Sequence, residues 1–171
     1  LTVTTGEISS VAVPGRFEAE DYLSMLGMQS EACEDIGGGE NMGFINTGDW
    51  LEYGINVQEA GIYTLSARTA AQAVQGSFEL RDKDENVLTT VTTPITGGWQ
   101  NWETVSSSGF QLSAGIQRIR IQALAQDFNL NWFEIKSDNS TLKTALEEAG
   151  KQNYQIYPNP INGKILTIRL Q

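Results

Sequence analysis

Histidine is absent from this chain, and cysteine occurs once, as Cys33. Without histidine the commonest general base and the commonest metal ligand are both missing, which argues against serine-triad chemistry and a typical zinc site. A single cysteine cannot form an internal disulfide, so Cys33 reads as a small, semi-buried residue. Positive charge is scarce too: 11 Lys and Arg stand against 21 Asp and Glu, a net charge of -10. That balance repels phosphate, so neither nucleic acid nor an anionic membrane surface is expected as a partner. Uncharged glycans and divalent cations remain compatible with it. No apolar run approaches the ~20 residues of a membrane helix, so membrane insertion is not expected. No signal peptide is visible and the chain opens on Leu1, which reads as a processed or trimmed start. Proline is limited to 4 residues while glycine reaches 17, and 40% of the residues are hydrophobic, the profile of a turn-rich packed domain.

The chain is organised around Gly37 to Val57, GGGENMGFINTGDWLEYGINV. Three successive glycines suit a sharp turn, and Asn46-Thr47-Gly48-Asp49 supplies a second turn signal. Phe44 emerges from this loop region. Leu51, Tyr53, Ile55 and Val57 then alternate along a strand with one buried side. An aromatic ring on a loop is thus tied directly to a core strand.

Leu1 to Gly15 reads as an irregular lead-in, followed by an alternating strand from Arg16 to Tyr22. Further strands are expected over Trp50–Val57, Ile62–Ala70, Gly76–Arg81, Val87–Thr93, Trp102–Val105 and Phe110–Leu112. Ile119, Ile121 and Ala123 alternate with Arg118, Arg120 and Gln122, and a last strand runs from Asn129 to Ile135. Many short strands separated by turns indicate an all-β fold, an antiparallel β-sandwich. Residues 1–136 form this module. Residues 137–153 read as a linker in which Leu142, Ala145, Leu146 and Ala149 fall at helical spacing. Residues 154–171 carry Tyr157-Pro158-Asn159-Pro160 and a strand-like run from Ile165 to Leu170.

Phe44 and Trp99 are the aromatic candidates, since both follow glycine-rich turns and stand outside the alternating strands. Sugar rings present C–H faces that stack on aromatic planes, while their hydroxyls need a few fixed polar partners. Either residue can instead pack in the core. Trp50, Trp102 and Trp132 lie within strand patterns and are expected to be buried or half-buried. Asn129 and Asn131 stand two apart, so they should project to the same side. Asn129 faces water at an edge or reaches a ligand hydroxyl. Glu18 and Glu20 would also share a strand face, about 6.8 Å apart at Cα. Three readings remain for them: solvated surface carboxylates, hard ligands for calcium together with Asn131, or a glycosidase acid–base pair.

FEAEDY, GGGENMGFINTGDWLEY, GGWQNW and FNLNWFEI, in that order, resemble the motifs of family 6 carbohydrate-binding modules. The resemblance covers roughly Gly15 to Lys136. It implies a jelly-roll β-sandwich without catalysis of its own, which binds a polysaccharide and tethers a covalently linked glycoside hydrolase to it. It also implies a site in the loops at one end, where two aromatics clamp a sugar: Phe44 and Trp99 here, with Asn129 as the hydrogen-bonding amide. Phe44 stands where tyrosine is more usual, so a ring hydroxyl is lost. A structural calcium is implied, with Glu18, Glu20 and Asn131 as side-chain ligands. Asn131 replaces a frequent aspartate and lowers the charge of that shell. Some members carry a second sugar surface on the sheet face, unassigned in this sequence. Among ligands, a β-1,3-glucan such as laminarin ranks first, agarose second, and xylan is a further alternative. A glycosidase using Glu18 and Glu20 and an adhesive protein-binding domain are the rival readings.

The tail, with YPNP ahead of a short apolar strand, resembles the start of a type IX secretion C-terminal sorting domain of Bacteroidetes, cut short. That resemblance implies a secreted or cell-surface protein. A monomer is expected.

Overall fold

The computed structural model describes residues 9–138 and, beyond them, the strands Gln155–Pro158 and Leu166–Arg169. Two compact units divide the chain after Asp138. The first contains β1 (Val11–Val13), β2 (Gly15–Glu18), β3 (Ser24–Leu26), β4 (Gln29–Ala32), β5 (Glu40–Gly43), β6 (Trp50–Val57) and β7 (Gly61–Ala70). It continues through β8 (Ser77–Asp82), β9 (Val87–Thr92), β10 (Glu103–Ser106), β11 (Phe110–Leu112), β12 (Gly115–Ala125) and β13 (Asn129–Ser137). In the second unit β14 (Gln155–Pro158) and β15 (Leu166–Arg169) pair antiparallel, from Gln155 opposite Arg169 to Pro158 opposite Leu166.

Two sheets form the sandwich. One runs β1-β6-β12-β8-β9 with β3 also on β6; the other runs β10-β7-β13-β5-β4, with β11 on β7 and β2 on β13. The period-two patterns explain the pairing. Leu51, Tyr53, Ile55 and Val57 of β6 and Ile119, Ile121 and Ala123 of β12 are buried, and the antiparallel register sets Tyr53 opposite Ile119 and Leu51 opposite Ile121. Between the sheets Phe17 stacks on Phe133 at 4.6 Å, and Tyr53 meets both rings edge-on at 6.0 and 4.9 Å. The buried Tyr53 hydroxyl donates to the Ala19 carbonyl at 2.7 Å, which satisfies its polar end.

Several elements differ from the sequence expectation. The expected lead-in contains β1, which pairs parallel with β6 from Val11–Ile55 to Val13–Val57, so the first sheet is mixed. The stretch read as a glycine loop holds β5, which forms a hairpin with β4: Gln29 to Ala32 pair with Gly43 to Glu40. Neither strand alternates in hydropathy: β4 stays largely at the surface, while Asn41, Met42 and Gly43 of β5 are buried in succession. Gly37, Gly38 and Gly39 make the reversal, all at positive φ (106, 65 and 89°). Phe44 therefore leaves the end of β5 and not the glycine turn. Strand β2 stops at Glu18, and the Asp21 amide bonds back to the Glu18 carbonyl at 3.2 Å. Glu20 sits in that turn, so Glu18 and Glu20 do not share a strand face. Trp102 precedes β10 and does not lie in it.

Strand β13 lies between β7 and the pair β5 and β2, and Asn129 is only 3% exposed, which rules out a solvent-facing edge position for it. A bulge at Asn131 shifts the register, with Leu130 opposite Thr69 and Trp132 opposite Arg68. It lets Leu130 and Phe133, three residues apart, both enter the core. The helical spacing over residues 141–150 lies outside the described residues.

Candidate functional site

At one end of the sandwich the chain leaving β5, the loop from Thr93 to Trp102 and the start of β13 enclose a cleft of about 560 Å3. Phe44, Trp99 and Asn129 all line it, together with Glu31, Gln100, Asn46, Asp127 and Phe128. The rings are open to solvent, Phe44 at 60% and Trp99 at 39% exposure. Phe44 has φ 56°, a left-handed conformation that costs a bulky residue about 1–2 kcal/mol. The following turn holds it there: Asn46 Nδ2 donates to the Phe44 carbonyl at 3.1 Å, and the Asn46 amide donates to Asp49 Oδ2 at 2.8 Å. Asp49 is in turn tied to β12, its carbonyl accepting from the Ala123 amide at 2.8 Å. Strain held in place at a rim is a sign of a preformed site.

Below the rings lies a polar cluster that the sequence analysis missed. Glu31 Oε1 accepts from Asn129 Nδ2 at 2.7 Å, Asn41 Nδ2 at 3.1 Å and Gln100 Nε2 at 3.4 Å. Asn129 gives its other N–H to the Trp99 carbonyl at 2.9 Å, so the amide also fixes the loop that carries the ring. Gln100 Oε1 accepts from the Glu34 amide at 2.9 Å and from Trp102 Nε1 at 3.2 Å. Gln100 stands within GGWQNW and was in reach of that motif. Glu31 lies in a strand without alternation and carried no signal.

Glu18, Glu20 and Asn131 lie away from the cleft lining. Glu18 accepts from Arg16 Nε at 3.0 Å and is half exposed. Glu20 Oε2 is buried with no hydrogen-bond partner, and burial pushes this carboxyl above its ordinary value, with the charges of Glu18 and Asp21 adding to the rise against backbone N–H groups. Asn131 Nδ2 donates to Asp35 Oδ2 at 3.0 Å, which leaves its carbonyl oxygen for any cation. Asp35 is held below the usual carboxylate range by its paired hydrogen bonds from Arg68, both at 2.8 Å. Among the described residues no three His, Cys, Asp or Glu side chains gather as a metal-holding group. The orphaned Glu20 oxygen, with the Asn131 carbonyl oxygen, fits a hard cation.

The remaining tryptophans are half-buried, as expected. Arg120 lies over the Trp50 ring at 4.3 Å and Arg16 over Trp132 at 4.2 Å. Cys33 is buried and its thiol is pushed up by burial.

With this geometry in view, comparison with known proteins is decisive for the family. Residues 18–137 match the family model described as carbohydrate binding module (family 6). The chain belongs to that family. The C-terminal family 6 module of LamC, a marine laminarinase from Zobellia galactanivorans, is 39% identical, with a TM-score of 0.67 over 71% of this chain and 98% of the module. A β-1,3-glucan binding family 6 module from Bacillus halodurans is 31% identical, with a TM-score of 0.70 over 75% of this chain and 100% of that one. Among curated proteins, the clotting factor G alpha subunit of Tachypleus tridentatus is 31% identical over 130 residues. The match takes in 75% of this chain but only 19% of that relative's length. Family 6 modules are non-catalytic binders of oligosaccharides and polysaccharides, which sets aside a glycosidase built on Glu18 and Glu20. The match ends at residue 137, so no support reaches the sorting-domain resemblance of the tail.

Proposed function

We propose that this module binds a β-1,3-glucan in the end cleft, stacking a sugar ring against Phe44 and Trp99 while Asn129 and Glu31 meet its hydroxyls. The observation that carries the reading is the placement of two solvent-open rings over one fixed polar cluster in a single cleft. The likeness to a laminarinase module and to a β-1,3-glucan binding module supports the choice of ligand. A preformed rim limits the ordering cost of binding. A linked glycoside hydrolase would gain effective concentration at its substrate. Secretion to the cell surface, through a sorting domain beginning in the tail, belongs to the same proposal, as does a monomeric state. Titration with laminarin, agarose and xylan oligosaccharides tests the ligand: tightest binding to the laminarin series is expected, and a preference for agarose or xylan oligosaccharides contradicts it.

We also propose a structural calcium held by Glu20, with Glu18 and the Asn131 carbonyl oxygen completing its side-chain ligands. The ion would supply the positive charge that the buried Glu20 oxygen lacks. Glu18 would then share its carboxylate between the ion and Arg16.

A further inference from the structure

The floor of the cleft has an unusual hydrogen-bond sense. A carboxylate only accepts, so the three N–H groups on Glu31 Oε1 force their amides to turn nitrogen toward it. For Asn129 both N–H groups are then engaged, one by Glu31 and one by the Trp99 carbonyl. What Asn129 still offers is Oδ1, and what Glu31 still offers is Oε2. Neither accepts a hydrogen bond from the described residues, and neither is sealed from solvent in the way that Glu20 Oε2 is. Gln100 is likewise committed at both ends, to Glu31, Asn41 and Ala32 through nitrogen and to Glu34 and Trp102 through oxygen. Asp127 stands on the wall, with Oδ2 accepting from Gln126 Nε2 at 3.0 Å. Among the described residues, no lysine or arginine lines the cleft to offset these two carboxylates.

We propose that the cleft selects by charge: it takes neutral glycan rings whose free hydroxyls donate to Glu31 Oε2 and Asn129 Oδ1, and it turns away rings bearing carboxylate or sulfate groups. Glu31 is the residue that sets this selectivity. The proposal rests on the reading of the cleft as the glycan site. A hydroxyl that donates to a carboxylate makes a charge-assisted bond, stronger than a neutral one. An anionic substituent at the same place meets like charge in a partly desolvated cleft, where the effective dielectric is far below that of water. The overall net charge of -10 adds a repulsion at longer range, which salt removes. What persists at high salt is the local effect of Glu31 and Asp127.

The test compares a neutral laminarin oligosaccharide with the same oligosaccharide oxidised at C6 to carboxylates, which keeps its ring hydroxyls. Both are titrated into the whole chain at low and high salt, as wild type, Glu31→Gln and Asp127→Asn. Wild type should bind the neutral form at least about tenfold more tightly at low salt, and part of that gap should survive high salt. Glu31→Gln should narrow the gap several-fold and weaken neutral binding. Asp127→Asn, which leaves the amide cluster untouched, should narrow the gap less. Equal binding of the two forms by wild type, or a gap unchanged by either substitution, overturns the charge filter while leaving the glycan reading intact. Failure of wild type to bind the neutral laminarin oligosaccharide overturns the proposed glycan reading and the filter with it.

Discussion

The loop aromatics and the sheet aromatics of this module meet opposite fates. Trp99 and Phe44, on loops at one end of the sandwich, are open to solvent above a fixed polar cluster. Trp50 and Trp132, at strand positions outside the core cluster, each lie beneath an arginine guanidinium at 4.3 and 4.2 Å. Arg120 is itself pinned over Trp50 by Glu85 Oε1 at 2.5 Å and Glu52 Oε2 at 3.3 Å. A ring face already occupied by a guanidinium is not free to stack on a sugar. Aromatic area is therefore not what distinguishes a site here; access to the ring face is.

The sharpest way to break this comparison is to remove the open ring. Trp99→Ala should weaken oligosaccharide binding about 30- to 100-fold, ~2–3 kcal/mol, because a ring that anchors a small ligand dominates its affinity. Its melting temperature should change little, since Trp99 packs outside the core. Phe44→Ala should cost about tenfold by the same logic, with a smaller ring lost. Gly43→Ala leaves both rings in place but sets a methyl group 2.9 Å from Glu31 Oε1 and 3.0 Å from Asn129 Oδ1. One of those side chains must move, so a loss of roughly tenfold is expected, of the size a disturbed charged hydrogen bond brings. Calorimetric titration reads all three.

The same contrast explains what could be read from the sequence. Phe44, Trp99 and Asn129 were visible because glycine turns and a strand start flag them, and the cleft lining includes all three. Glu31 was invisible because β4 pairs through its backbone and shows no alternation. The strands with buried faces, β6 and β11, fell at their expected bounds. β1, β3, β4 and β5 were missed because each is only three or four residues long, too short to show a period. Glu20 was misplaced on a strand that ends two residues earlier, since the alternation of FEAE continues into a turn. The bulge at Asn131 leaves no mark in hydropathy, although it brings Asn129 to Glu31 and Asn131 to Asp35.

A second comparison, of Glu20 with Asp35, predicts opposite responses to pH. Burial raises the Glu20 carboxyl, so the folded state holds that proton more tightly than the unfolded one. Below the ordinary carboxylate value this group favours folding, and it costs stability as pH rises through its raised value. Asp35 is lowered by Arg68, so it favours folding above the ordinary value, and that support is lost as pH falls through its lowered one. Thermal melts of chelator-treated Glu20→Gln and wild type, followed from acidic to neutral pH, should diverge in the variant's favour as pH rises. Adding calcium at neutral pH should raise the wild-type Tm by several degrees and the variant's by little, and an unmoved wild-type Tm contradicts the proposed ion.

The smallest effect belongs to the covered ring. Trp50→Ala should leave sugar affinity within about twofold of wild type, while removal of the stack with Arg120 lowers stability by ~1 kcal/mol, read by denaturant unfolding.

The most direct test of the account sets the two rings side by side. Calorimetric titration of a neutral laminarin oligosaccharide into wild type, Trp99→Ala and Trp50→Ala should show one site per chain, lost in the first variant and retained in the second. Binding that survives Trp99→Ala and disappears in Trp50→Ala would move the site to the sheet face and contradict the account.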